Sequence, residues 1–153
     1  MITKFKKTTA TYRASAQWLL VSLVMILALA SSAYAKKTAP VAEERNDMLA
    51  AASIDVGHSI AQTCTVCHTF DKGGPTETGP NLFGIVGAKH AHEKNYTYSY
   101  ALKNMKDRVW TVDALDKFLK LPGAYAPGTT MSFGGLIDPQ DRADLIAYLR
   151  TLK

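Results

Sequence analysis

Cys64-Thr65-Val66-Cys67-His68 holds both cysteines of the chain, with a histidine directly after the second. This is the C-x-x-C-H spacing of covalent c-type haem attachment. Each thiol can add to one haem vinyl group, and the two thioethers then hold His68 where its imidazole reaches the iron as an axial ligand. Other chemistries fit worse. A closed zinc site takes four ligands, and the remaining histidines, His58, His90 and His92, have no second cysteine pair to join. A thioredoxin-type pair would sit in a βαβ pattern, and no strand-helix-strand alternation surrounds this one. A disulfide between the two would close a very short loop and staple little.

Before the motif, Ser53 or Asp55 can cap a helix whose positions Val56, Ile60 and Ala61 share a face with Cys64. His58 falls off that stripe and reads as a solvated surface residue. Residues 36–53 are polar and then alanine-rich, a tail or tether that can turn helical from Val41. Residues 1–35 read as an export signal. Lys4, Lys6, Lys7 and Arg13 form a basic start, Trp18 to Ala30 is an apolar run, and Ala33-Tyr34-Ala35 is a small-x-small cleavage site. The run is short for a membrane span, which favours cleavage. The alternative is an uncleaved anchor over residues 14–35, which contain no charge. Either outcome puts residues 36–153 outside the cytoplasm.

The formal charge of +5 comes from 18 basic and 13 acidic residues. The four basic residues of the leader account for most of it, because every acid lies after them; beyond the leader, 14 basic residues face the 13 acids. Two haem propionates would turn the remainder slightly negative. Non-specific nucleic-acid binding through a basic surface is not expected.

After the motif, residues 69–87 are rich in turn formers: Gly73-Gly74-Pro75, Gly79-Pro80-Asn81, Gly84 and Gly87. So long a loop needs something to wrap, and a haem edge would give Leu82, Phe83, Ile85 and Val86 a surface to cover. His90 and His92 are too few to hold a metal alone, and a polar loop is their expected setting. Tyr96, Tyr98 and Tyr100 lead into a turn and a short helix. Thr111 caps a helix from Val112 to about Lys120 with Leu115, Phe118 and Leu119 on one face, and Pro122-Gly123 ends it. A second turn-rich loop, residues 127–135, contains Met131. Asp138-Pro139 starts a final helix expected to reach Leu152, with Leu145, Leu149 and Leu152 as its apolar stripe. For a second axial ligand the candidates are Met105, Met131, His90 and His92. Spacing favours Met131, whose loop is fixed by prolines and glycines but not regular.

These motifs, in this order, closely resemble class I cytochromes c of the mitochondrial and alphaproteobacterial type. The resemblance covers residues 55–153. It rests on Cys64 to Thr69, Lys72-Gly73-Gly74, Thr78 to Leu82, Tyr98, Trp110, Pro127 to Met131 with Phe133, and Asp144 to Leu149. It implies an all-α fold of three main helices, with short helices and long loops wrapping one covalent haem c. The organisation is then a signal or anchor over 1–35, a linker over 36–53 and a cytochrome domain over 54–153. It also implies roles. Cys64 and Cys67 carry the haem, and His68 is the proximal ligand, oriented by the Pro80 carbonyl. Met131 is the distal ligand. Tyr98 and Trp110 hydrogen-bond a propionate, and Phe133 packs at the exposed haem edge.

The implied function is one-electron transport rather than enzymatic turnover. It would run between respiratory complexes, a quinol-oxidising cytochrome c reductase and a terminal oxidase. The expected form is a monomer in the periplasm, soluble after cleavage or anchored in the inner membrane. The other reading is a ligand-binding or peroxidatic haem protein with a labile Met131.

The departures from the family pattern are specific. Ala88 stands where an arginine commonly supports a propionate, leaving Lys89 or a nearby histidine to substitute. Phe118 stands where a tyrosine often places its hydroxyl near the methionine sulfur. Val56 and Ile60 are aligned with the glycine and aromatic residue that let the terminal helices approach, so a wider crossing is expected. The lysine ring at the haem edge is thin: Thr63, Gly123, Ala124, Thr130 and Ile137 take its usual places, while Lys72, Lys89, Lys117 and Lys120 remain.

Overall fold

The computed structural model describes residues 43–153, so the export signal or anchor and the first part of the linker lie outside the described residues. Within the described part every regular element is helical, and pairing is confined to one isolated bridge between Lys89 and Val109. Residues 45–153 form one compact unit.

The linker does not hang free over its described part. Residues 43–50 are helical. Arg45 pairs with Asp113 at 2.6 Å, Gln140 Nε2 donates to the Met48 carbonyl at 3.3 Å, and Leu49 packs on the core.

Helix α1, Ile54–Ala61, is capped by Ser53, whose Oγ accepts the Val56 N–H. The Ser53 N–H donates to Asp144 Oδ1 at 2.9 Å, which ties the start of α1 to the last helix. That last helix, α5, spans Pro139–Leu149, and Asp138 caps it by accepting the N–H groups of Gln140 and Asp141. It stops at Leu149 rather than Leu152. The Leu152 carbonyl instead accepts the Gly84 N–H at 3.0 Å and fastens the first long loop to the C-terminus.

The crossing of α1 and α5 corrects the expectation of a wide approach. A Cβ on Gly57 would overlap the backbone carbonyl of Asp144, so the two backbones touch there. Ala61, one turn on, is 1% exposed, whereas Val56 is 45% exposed. The contact face is shifted by one residue from the alignment through Val56 and Ile60.

Between these helices lie α2 (Tyr100–Lys103), α3 (Val112–Lys120) and α4 (Pro122–Tyr125). Thr111 caps α3 through its Oγ1 and the Ala114 N–H. Pro122 does end α3, and it also starts the single turn of α4. Leu115, Phe118 and Leu119 of α3 meet Leu145, Ile146 and Leu149 of α5 in the core, and Ala61 closes it from α1.

Candidate haem site

Helix α1 runs directly into a 3₁₀ turn, Gln62–Val66, which carries the first cysteine. The Cys64 carbonyl accepts the N–H groups of Cys67 and His68, at 3.0 and 2.9 Å, so the motif closes on itself and turns both thiols and the imidazole the same way. Both cysteines are free and half-buried. Burial pushes the Cys64 thiol up, the Thr63 hydroxyl lowers it and neighbouring Cys67 raises it again.

His68 Nδ1 lies 2.7 Å from the Pro80 carbonyl, so Nδ1 carries the proton and donates it. Nε2 is left as a bare lone pair, the form an imidazole needs to bind a metal. Burial holds the ring below its ordinary value, with the Pro80 carbonyl opposing. Gly79 presses its backbone on the same ring. A Cβ there would stand 2.6 Å from Nδ1 and 2.8 Å from Nε2. The sequence marked Gly79 as a turn former in Gly79-Pro80-Asn81, but not as a contact of the His68 ring.

A cavity of about 490 Å³ opens beside these groups, lined mostly by apolar side chains, a size typical of cofactor sites. Cys64, Cys67, His68 and Pro80 line one side. Met131 and Phe133 line it from the second loop, and Tyr98 and Trp110 line it from the middle of the chain. Of the four side chains considered for a second axial position, Met131 is the one on the cavity. The Met105 sulfur accepts from Arg108 instead, and His90 and His92 are not on the wall.

The HxH pair departs from the expected polar loop. Ala91 adopts φ +52, in the left-handed region, and the two histidines do not share a partner. His90 is 1% exposed and stacks on Trp110, with ring centroids 3.7 Å apart. His92 lies 3.7 Å from Glu93. Among the described residues no group of three His, Cys, Asp or Glu side chains could hold a metal ion. Lys89 is exposed and, like His90 and His92, does not line the cavity.

Tyr98 is buried, and its hydroxyl accepts the Glu93 N–H at 3.3 Å. Burial pushes its pKa up to about 12, with the Glu93 N–H pulling the other way. It therefore keeps its proton and can donate. Arg142, missed in the sequence, is 5% exposed. Its Nε pairs with Asp116 at 2.6 Å, and its Nη1 donates to the carbonyls of Leu136 and Ile137 at 2.8 Å each. It staples the end of the Met131 loop to α3. An arginine inside the last helix gave no signal of this, because two of its three partners are backbone carbonyls and the third, Asp116, lies on another helix.

Two free thiols, a bare imidazole nitrogen and a thioether around an apolar cavity are the donor set of a c-type haem, and the residues present fit that group. The fold and the site define a small all-helical haem domain. The cytochrome c family model matches residues 54–153, and the chain belongs to that family, whose members carry a covalently attached haem c. It is 43% identical over 115 residues to a cytochrome c homolog of Bradyrhizobium diazoefficiens, covering 74% of this chain and 62% of that one. The chain thus matches about three fifths of that relative's length. It is 48% identical over 95 residues to the cytochrome c of Gossypium barbadense, covering 61% of this chain and 85% of that protein. Cytochrome cH from Methylobacterium extorquens has a similar solved structure, with a TM-score of 0.60 at 37% identity, covering 65% of this chain and 98% of that one.

Proposed function

We propose that the chain is a one-electron carrier working outside the cytoplasm. One observation carries the reading: a single cavity gathers both thiols, the bare Nε2 of His68 and the Met131 side chain. That donor set would fill both axial positions of one haem iron and leave none for a substrate. The bound haem supplies a ferric/ferrous couple, and Met/His ligation favours a high potential. Cys64 and Cys67 would hold the group as thioethers. His68 would be one axial ligand, fixed in rotation by Pro80 and Gly79, and Met131 the other. Tyr98 and Trp110 would donate to the haem carboxylates. Phe133, with Thr130 and Ser132 beside it, would form the edge through which the electron leaves.

The proposed partners are a quinol-oxidising complex as donor and a terminal oxidase as acceptor, on the outer face of an inner membrane. The leader of residues 1–35 supports export. No helix of the described residues is long and apolar enough to cross a membrane. Redox titration of the soluble and membrane fractions, with mass measurement of the purified protein, tests carrier, potential and cleavage together. A single one-electron wave at high potential supports the reading. A protein without covalent haem would end it.

A second reading is favoured by Phe118. It is buried on the cavity wall and packs on Trp110 with ring centroids 4.9 Å apart, but it has no hydroxyl to donate to the Met131 sulfur. A labile Met131 would open the iron to small ligands or peroxide. Exogenous imidazole or cyanide separates the two: slow, weak binding near neutral pH supports the carrier, and fast, tight binding supports the open-site protein.

A further inference from the structure

The largest feature that the carrier reading does not use is His90. It is among the four largest side chains with less than 2% exposure, and its Nδ1 is buried with no hydrogen-bond partner. Its surroundings are specific. The ring lies nearly parallel to the Trp110 indole, at 3.7 Å and 13°. Nε2 is 2.9 Å from the Tyr125 hydroxyl. Its backbone N–H donates to the Arg108 carbonyl, and the Trp110 backbone N–H donates to the Ala88 carbonyl, so the two strands of chain that carry the stacked rings are also pinned to each other. Trp110 lines the cavity and His90 does not. His90 therefore stands behind the indole.

We propose that His90 is a positioning residue for Trp110: its neutral ring fixes the plane of the indole, so that the indole N–H is held for a carboxylate of the bound haem. This rests on the haem reading above. The orphaned Nδ1 identifies the form of the ring. A proton on Nδ1 would be a buried N–H without an acceptor, which is costlier than a bare lone pair. The ring is therefore the Nε2–H tautomer, donating to the Tyr125 oxygen. Ala88 makes the positioning matter, since the wall offers that carboxylate the Tyr98 hydroxyl and the Trp110 N–H without a neighbouring arginine. If the indole swings, a carboxylate charge near the iron loses a donor. The ferric state then gains, and the potential falls.

The test uses the exported holoprotein and two substitutions. His90→Phe keeps a flat ring against Trp110 and removes both nitrogens, while His90→Leu fills space without a planar face. Two quantities are read: the reduction potential, and hydrogen exchange of the Trp110 indole N–H by NMR. His90→Leu is expected to lower the potential and speed indole exchange by about tenfold, the size of a lost aromatic stack. His90→Phe is expected to restore both towards wild type. A wild-type potential in His90→Leu, or equal losses in both variants, overturns the proposal. Should His90→Leu not fold, His90→Phe decides alone: wild-type indole exchange supports the stack and fast exchange refutes it. Failure of the haem reading would show separately, as a wild-type absorption spectrum without haem bands.

Discussion

Single residues set the geometry of this site. His68 is aimed by one hydrogen bond and one glycine. Gly79→Ala puts a methyl group into the imidazole ring, and overpacking of this kind costs about 1–3 kcal/mol. The expected result is a lower urea midpoint and displaced His68 ligation in the ferric spectrum; an unchanged midpoint would show that the ring can yield. Tyr98 gives a pH prediction. Its folded pKa, about 12, lies above the ordinary phenol value of 10.0. The folded state therefore binds this proton more tightly than the unfolded chain does. Its contribution is intact below about pH 10 and is lost as the pH climbs through about 12. Denaturation midpoints between those values should fall in wild type and stay flatter in Tyr98→Phe. At this scale the sequence picked out two thiols, an imidazole and a thioether that the structure brings to one cavity. It was unreadable at His90, because nothing in His-Ala-His reveals that the first ring meets Trp110, twenty positions away.

Elements were legible by their ends. Ser53, Thr111 and Asp138 each cap a helix through the side-chain oxygen. Periodicity selected buried residues on α3 (Leu115, Phe118, Leu119) and on α5 (Leu145, Leu149), whereas Leu152 lies past the end of α5 and is only partly buried. The crossing was less legible, since a helix face is decided by register and one residue rotates it by about 100°. Gly57, rather than Val56, meets α5. Gly57→Ala should force the helices apart and cost about 3 kcal/mol, the upper end for overpacking, because the Asp144 carbonyl it meets is backbone and cannot rotate away. Thermal melts would check it, and a melting point equal to wild type would mean that the crossing is looser than described. Arg142 couples an element to a loop. Arg142→Ala leaves Asp116 and two carbonyls without their donor, a loss of about 3 kcal/mol for a buried pair. Because that loop carries Met131, chemical denaturation should release the methionine from iron earlier than it unfolds the helices. Loss of both signals at one midpoint would contradict this.

The whole molecule presents a mouth with little charge. Thr63, Val66, Thr130 and Ser132 line the cavity rim, and Val66 is 81% exposed. Lys117 is paired at 2.6 Å with Asp113, which also holds Arg45. With no charged side chain on the cavity wall, docking to a redox partner is expected to rest more on apolar contact than on long-range attraction. The oxidation rate by a terminal oxidase should change less than about tenfold between low and physiological salt, below the gain that electrostatic steering supplies. A steep fall with salt would show that Lys72, Lys89 and Lys120 steer after all. The overall architecture was legible because a covalent haem motif and a long loop with no period of its own require each other. The fastening of residues 45–53 was not, since a polar, alanine-rich stretch carries no mark of the surface that receives it. The central claim is that both axial positions are filled, by His68 and Met131. The ferric absorption spectrum of the purified protein near neutral pH tests it most directly. A low-spin spectrum with a methionine-to-iron charge-transfer band, lost in Met131→Ala, is the predicted result; a high-spin ferric spectrum in wild type would contradict it.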